Sequence, residues 1–136
     1  MSLVNLFNKN IICFLTDLSN IVNDKNTQNK LIDNIDNINS IIYINKNICV
    51  NKFYNELFKF KNDIMNENEL IIQYLHKINF FDSVDIITIW NNMNVLNKQT
   101  CWKYLKTFVI LTEKIKNKKL VKYIYYIFKY ITSILI

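Results

Sequence analysis

Residues 86–115 read IITIWNNMNVLNKQTCWKYLKTFVILTEKI. Two apolar runs flank a short polar break, and both tryptophans, Trp90 and Trp102, lie inside the stretch. In the second run Cys101, Tyr104, Leu105, Phe108, Leu111 and Ile115 share one face at helical pitch, with Thr112 the one polar residue on it. Lys103, Lys106 and Lys114 fall on the opposite side. The pattern predicts a helix–turn–helix hairpin at the centre of a small all-helical domain. Asn91–Asn97 is its turn, and Asn97 the expected cap of its second helix.

Toward the N-terminus the same period recurs. Leu3, Phe7, Ile11, Phe14, Leu18 and Ile21 form one stripe, with Asn8 and Lys9 off it and Asp17 at its edge. Leu31, Ile35, Ile38 and Ile42 form a second, with Asp33 and Asp36 pointing outward. Ile41–Ile44 is β-branched, so this helix has an ambiguous end. Val50, Phe53, Tyr54, Leu57, Phe60 and Ile64 give a third. Asn66 and Glu69 resemble a capping box for a short fourth helix, and Asp82 is the expected cap of a fifth that runs to about Asn92, with Phe81 and Ile86 at hydrophobic-staple positions. Toward the C-terminus Asn117 is the expected left-handed stop of the hairpin's second helix, and Lys118–Ile136 a separate last helix. The expectation is an all-α bundle of about six or seven helices, one domain over 1–136.

The chain has 136 residues and is 51% hydrophobic, enough for one buried core and too much for disorder. It contains no Gly, Pro, Ala or Arg. Those residues share GC-rich codons, whereas the abundant Asn, Ile and Lys share AT-rich ones, so part of the composition reflects an AT-rich genome. The absence of Gly excludes glycine-rich phosphate loops and Gly-based nucleophile elbows. Cys13, Cys49 and Cys101 are odd in number and far apart, which predicts buried thiols in a reducing compartment rather than disulfides or a zinc site. The N-terminal apolar run is broken by Asn5, Asn8, Lys9 and Asn10 and lacks a signal-peptide pattern. Charge is lopsided. Residues 1–97 carry eight Lys and ten acids, whereas residues 98–136 carry nine Lys and only Glu113.

Ile89–Trp90 and TCWKYL at Thr100–Leu105, followed by Leu111 and Glu113–Ile115, resemble a pattern in small helical proteins of nucleocytoplasmic large DNA viruses, the mimivirus-like giants. The AT-rich composition suits such genomes. The resemblance implies an all-helical fold and a viral, intracellular setting: host cytoplasm, viral factory or virion. It brings no catalytic residue with it.

The residues themselves give little chemistry. His76 is the lone histidine, and a lone helical histidine is a surface or capped residue before it is a base. Asp33/Asp36, Glu67/Glu69 and Asp82/Asp85 are paired carboxylates, but the first suits a solvated face and the others lie at helix starts, where the macrodipole favours acids. No enzyme, cofactor or metal is expected.

Binding is the better expectation. Trp102 lies at the edge of its apolar face, and Ile110 sits amid the lysines of the opposite one, making a modest interface candidate. In the last helix Lys118, Lys122 and Lys129 cluster on one face, with Lys119 nearby and Tyr123, Tyr126 and Tyr130 alongside. A membrane anchor is disfavoured: Lys129 at mid-segment costs about 3 kcal/mol, nearly cancelling roughly 4 kcal/mol from the apolar residues. An acidic membrane surface is a lesser possibility. The leading expectation is a helix packed on its own bundle and on another protein, self or foreign, through Trp102, Ile110, Tyr123, Tyr126 and Tyr130. The alternative is nucleic-acid binding by Lys103, Lys106, Lys114, Lys118, Lys119, Lys122 and Lys129, with tyrosines to stack on bases.

Overall fold

The computed structural model describes residues 1–135, with side chains through Ile134. Among the described residues it is an all-α bundle without strands: α1 (Leu3–Ile21), α2 (Lys25–Ile44), α3 (Ile48–Glu56), α4 (Lys61–Met65), α5 (Ile86–Asn92) and α6 (Val95–Leu135). Three 3-10 segments intervene, at Phe58–Phe60, Glu69–Lys77 and Asn79–Phe81.

Side chains supply most of the helix starts. The Asn5 amide donates to Ser2 Oγ at 3.1 Å to open α1, and the Thr27 amide to Asp24 Oδ2 at 3.0 Å to open α2. The Thr88 amide donates to Asp85 Oδ1 at 3.2 Å to open α5. The Asn97 amide donates to Asn94 Oδ1 at 2.8 Å, so Asn94, not Asn97, starts α6. Asp85 replaces the expected Asp82 for a physical reason. Buried Asn34 of α2 donates its amide to the carbonyls of Phe80 (3.3 Å) and Asp82 (2.9 Å). Ser83 then turns through a left-handed φ of 64° before the helix can begin.

The third stripe is cut where one helix was expected. At Leu57 the backbone tightens into the 3-10 turn Phe58–Phe60 and resumes as α4. The turn lets Phe58 pack on Tyr54 and Phe60 stack on Tyr74, at centroid separations of 5.3 and 4.8 Å, while Leu57 and Ile64 both stay fully buried. The fourth segment is 3-10 rather than α, and Asn68 caps it in place of Asn66. Glu67, not an asparagine, takes the second left-handed position, with φ 56°.

The core centres on Phe108 of α6. Its fully buried ring meets Phe7, Phe14, Phe53 and Phe80 at 5.1, 6.1, 5.8 and 5.7 Å, joining α1, α3 and the Asn79–Phe81 segment to α6. The expected hairpin is present as α5 and the start of α6, closed by Trp90 against Trp102 edge-to-face at 5.2 Å. Its second helix carries Phe108, so the hairpin holds the centre of the core. Asn8, expected off the α1 stripe, is buried and donates to the Lys46 carbonyl at 2.9 Å. Cys49 and Cys101 are buried as expected, whereas Cys13 is exposed.

The largest departure is at Asn117. No left-handed stop forms there, and α6 runs unbroken for 41 residues. Asparagine tolerates a left-handed turn but does not impose one. With no Pro, and with Lys and Leu good helix formers around it, only a contact pulling the chain aside would end the helix. The body of the bundle makes none.

Candidate protein-interaction surface

The helix α6 has two environments. From Cys101 to Ile115 one face is core: Cys101, Leu105, Phe108, Leu111, Thr112 and Ile115 are all buried. From Asn117 to Ile134 every residue is exposed. These 18 residues extend roughly 27 Å at helical rise. The expectation that the last segment packs on its own bundle is therefore corrected: the bundle covers α6 only as far as Lys116. The expected last residue, Ile136, lies outside the described residues.

Because α6 is one helix, the phase of the free half is fixed by the buried half. Leu120, Ile124, Ile127, Ile131 and Ile134 fall in one line, 55, 42, 39, 44 and 63% exposed. Tyr123 and Tyr130 flank that line on one side, and Val121 and Phe128 on the other. All five aliphatic residues are absent from the surface expected on sequence grounds. A break placed at Asn117 hides their spacing, which continues that of exposed Ile110 upstream.

The expected interface residues divide. Ile110, Tyr123, Tyr126 and Tyr130 are exposed. Trp102 is only 5% exposed: it packs on Trp90 inside the body and is no surface residue. Tyr126 lies on the lysine side of the helix, away from the aliphatic line.

The lysines form a ridge. Lys114, Lys118, Lys122 and Lys129 follow one another along the side of α6 roughly opposite the aliphatic line, and Lys103 stands about three turns before them with Thr107 and Ile110 between. Lys106 is set apart, with its ammonium 3.6 Å from Glu67. Lys119 sits at the ridge's edge. Lys116, at the boundary, donates to Asn51 Oδ1 at 3.0 Å and lies over the Tyr54 ring at 4.5 Å. Burial, and then the neighbouring Lys119 charge, push its pKa down. A groove of about 580 Å³ runs where the ridge leaves the body, lined by Leu3, Lys114, Asn117, Lys118, Val121, Lys122 and Tyr125.

The carboxylates have local tasks. Asp85 caps α5 and bonds the Thr88 hydroxyl, which holds its carboxyl below the usual range. Glu67 and Glu69 pair with Lys106 and Lys98. Asp33 and Asp36 are exposed. His76 is exposed, with Nδ1 2.6 Å from the Gln73 carbonyl. Among the described residues no three His, Cys, Asp or Glu side chains gather as metal ligands, and no helix is long and apolar enough to cross a membrane. No protein-family profile, curated protein or solved structure matches the chain.

Proposed function

We propose that this is a non-enzymatic viral protein that acts through protein–protein contacts, with the free half of α6 as the contacting element. The observation that carries the reading is the line Leu120, Ile124, Ile127, Ile131 and Ile134, left in water on a helix whose other half is core. With its aromatic flanks it makes a contiguous apolar patch beyond what a chain acting alone ordinarily exposes. The structural employment of Asp85, Glu67 and Glu69 supports a binding role over acid–base chemistry. The viral assignment, with host cytoplasm, viral factory or virion as its place, is supported by the TCWKYL resemblance and the AT-rich composition.

Photo-crosslinking in infected or expressing cells tests the reading. A photoreactive phenylalanine at position 124 or 131 gives protein adducts, and the same residue at exposed Tyr43 does not. Absence of any protein adduct from either line position refutes it.

A second reading rests on the ridge of Lys114, Lys118, Lys122 and Lys129, with Lys103 farther along the same helix, which suits a phosphate backbone. A binding constant falling with salt at a log–log slope of about −0.9 per lysine engaged supports it, and negligible duplex binding at low salt rejects it.

A further inference from the structure

We infer that the partner of the free half of α6 is a second copy of this chain, joined to it as a parallel two-stranded coiled coil. This deepens the protein-contact reading and rests on it.

Heptad spacing is the first ground. Ile110, Asn117, Ile124 and Ile131 lie seven apart, and Glu113, Leu120, Ile127 and Ile134 follow each of them by three. These are the a and d positions of a left-handed coiled coil, carried by one unbroken helix. Three of the eight positions lie before Leu120, and two of them, Ile110 and Glu113, belong to the half of α6 that the body holds in place.

Charge is the second. The free half carries four lysines and no acid, so two copies side by side would repel each other. Yet Lys118, Lys119, Lys122 and Lys129 occupy only b, c and f positions, away from the seam. The flanking e and g positions there hold Val121, Tyr123, Phe128 and Tyr130, which extend the apolar contact. At the entrance Glu113, a d residue, faces Glu113 of the other copy, and Lys114, an e residue of each copy, lies beside that pair and offsets its repulsion.

Area is the third. Nine residues of the seam and its flanks, 39–67% exposed, leave on the order of 100 Å² each in water, together roughly 900 Å². A standard interface takes about 800 Å² from each partner.

Asn117 sets the orientation. In a parallel pair it faces Asn117 of the other copy, and the two amides hydrogen-bond across the seam. In an antiparallel pair overlapping over 117–134 it would face Ile134 and be buried without a partner. One polar a residue also favours two strands over the trimer or tetramer that isoleucine at a and d would otherwise promote. The body packs on α6 about a third of a turn from the seam, which leaves room for both bodies at the same end.

The test is sedimentation equilibrium of the purified full chain between about 1 and 100 µM, a range in which a mass-action dimer declares itself. The expected mass approaches twice 16.4 kDa. Ile124→Glu/Ile131→Glu stays monomeric with unchanged unfolding of the body, and Lys122→Glu/Lys129→Glu stays dimeric. Asn117→Ile forms species larger than the dimer; an unchanged dimer would overturn the assigned register. In a Cys13→Ser background, Ile134→Cys oxidises to a linked dimer only if the strands are parallel. A dimer that does not link overturns the orientation. A monomer at the highest concentration overturns the inference, as does a monomer that floats with phosphatidylserine vesicles. Protein adducts from position 124 alongside a monomeric purified chain leave the contact reading standing; a monomer without adducts removes both.

Discussion

Thr112 sits in the core with no exposed surface, and among the described residues its hydroxyl has no hydrogen-bond partner. Valine has nearly the same shape and a similar helix propensity, so Thr112→Val changes little except that hydroxyl. A buried hydroxyl without a partner costs about 1–3 kcal/mol by mutational data. The substitution should therefore stabilise the fold by roughly 1–2 kcal/mol, allowing for imperfect packing of the new methyl. With a urea slope near 2 kcal/mol/M, the unfolding midpoint rises by about 0.5–1 M at unchanged slope. Thr107→Val is the control. That hydroxyl is only partly buried and donates to the Lys103 carbonyl at 2.7 Å, so its loss shifts stability by less than about 0.5 kcal/mol. A Thr112→Val midpoint that stays put or falls would mean that the hydroxyl has a partner, such as a carbonyl of the preceding turn.

Other perturbations probe other links. Phe108→Ala removes the ring that four phenylalanines pack on and costs about 3–5 kcal/mol, leaving a marginal fold detectable by dye binding and a lowered denaturation midpoint. Asn34→Ala strips the carbonyls of Phe80 and Asp82 of their donor and costs roughly 2 kcal/mol in urea unfolding, without changing the mass in solution. Stability falls as pH rises above about 9. Burial lifts the Cys49 thiol to about 11 and the Cys101 thiol to about 12, and burial with Asp17 lifts the Tyr104 phenol. The unfolded chain then loses these protons first, so stability held below the ordinary thiol value drains away through the raised ones. Cys101→Ser flattens that alkaline slope, measured as urea midpoint against pH.

Apolar stripes made the bundle legible. Phe7, Ile11, Phe14 and Leu18 of α1 and Leu31 and Ile38 of α2 are buried where their spacing put them. So is Thr112, the one polar residue on the expected core face of α6. What periodicity cannot convey is how tertiary contacts choose among local options. Asp82, Asn66 and Asn97 are all competent caps, but Asn34 and the left-handed turns at Glu67 and Ser83 shift two of the helix starts onto Asn68 and Asp85. Trp102 stands at the edge of its stripe, and only the arrival of Trp90 shows that edge to be interior. Asn117 misled for the opposite reason. Its tolerance of a left-handed turn is a permission, and without a packing contact to redirect the chain the helix simply continued. The heptad line from Ile110 to Ile134 was present in the sequence throughout, but it becomes visible only when the two halves are one helix.

Hydrogen exchange along α6, followed against protein concentration, tests the central claim most directly. The claim predicts that amides of residues 117–134 exchange fast at low concentration, because a lone helical extension frays and reopens freely. Those amides gain protection as concentration rises, with a midpoint matching the dimer's dissociation constant, while amides from Cys101 to Ile115 stay protected throughout. Protection of residues 117–134 that is the same at every concentration, whether high or absent, would contradict a second copy as the partner of that helix.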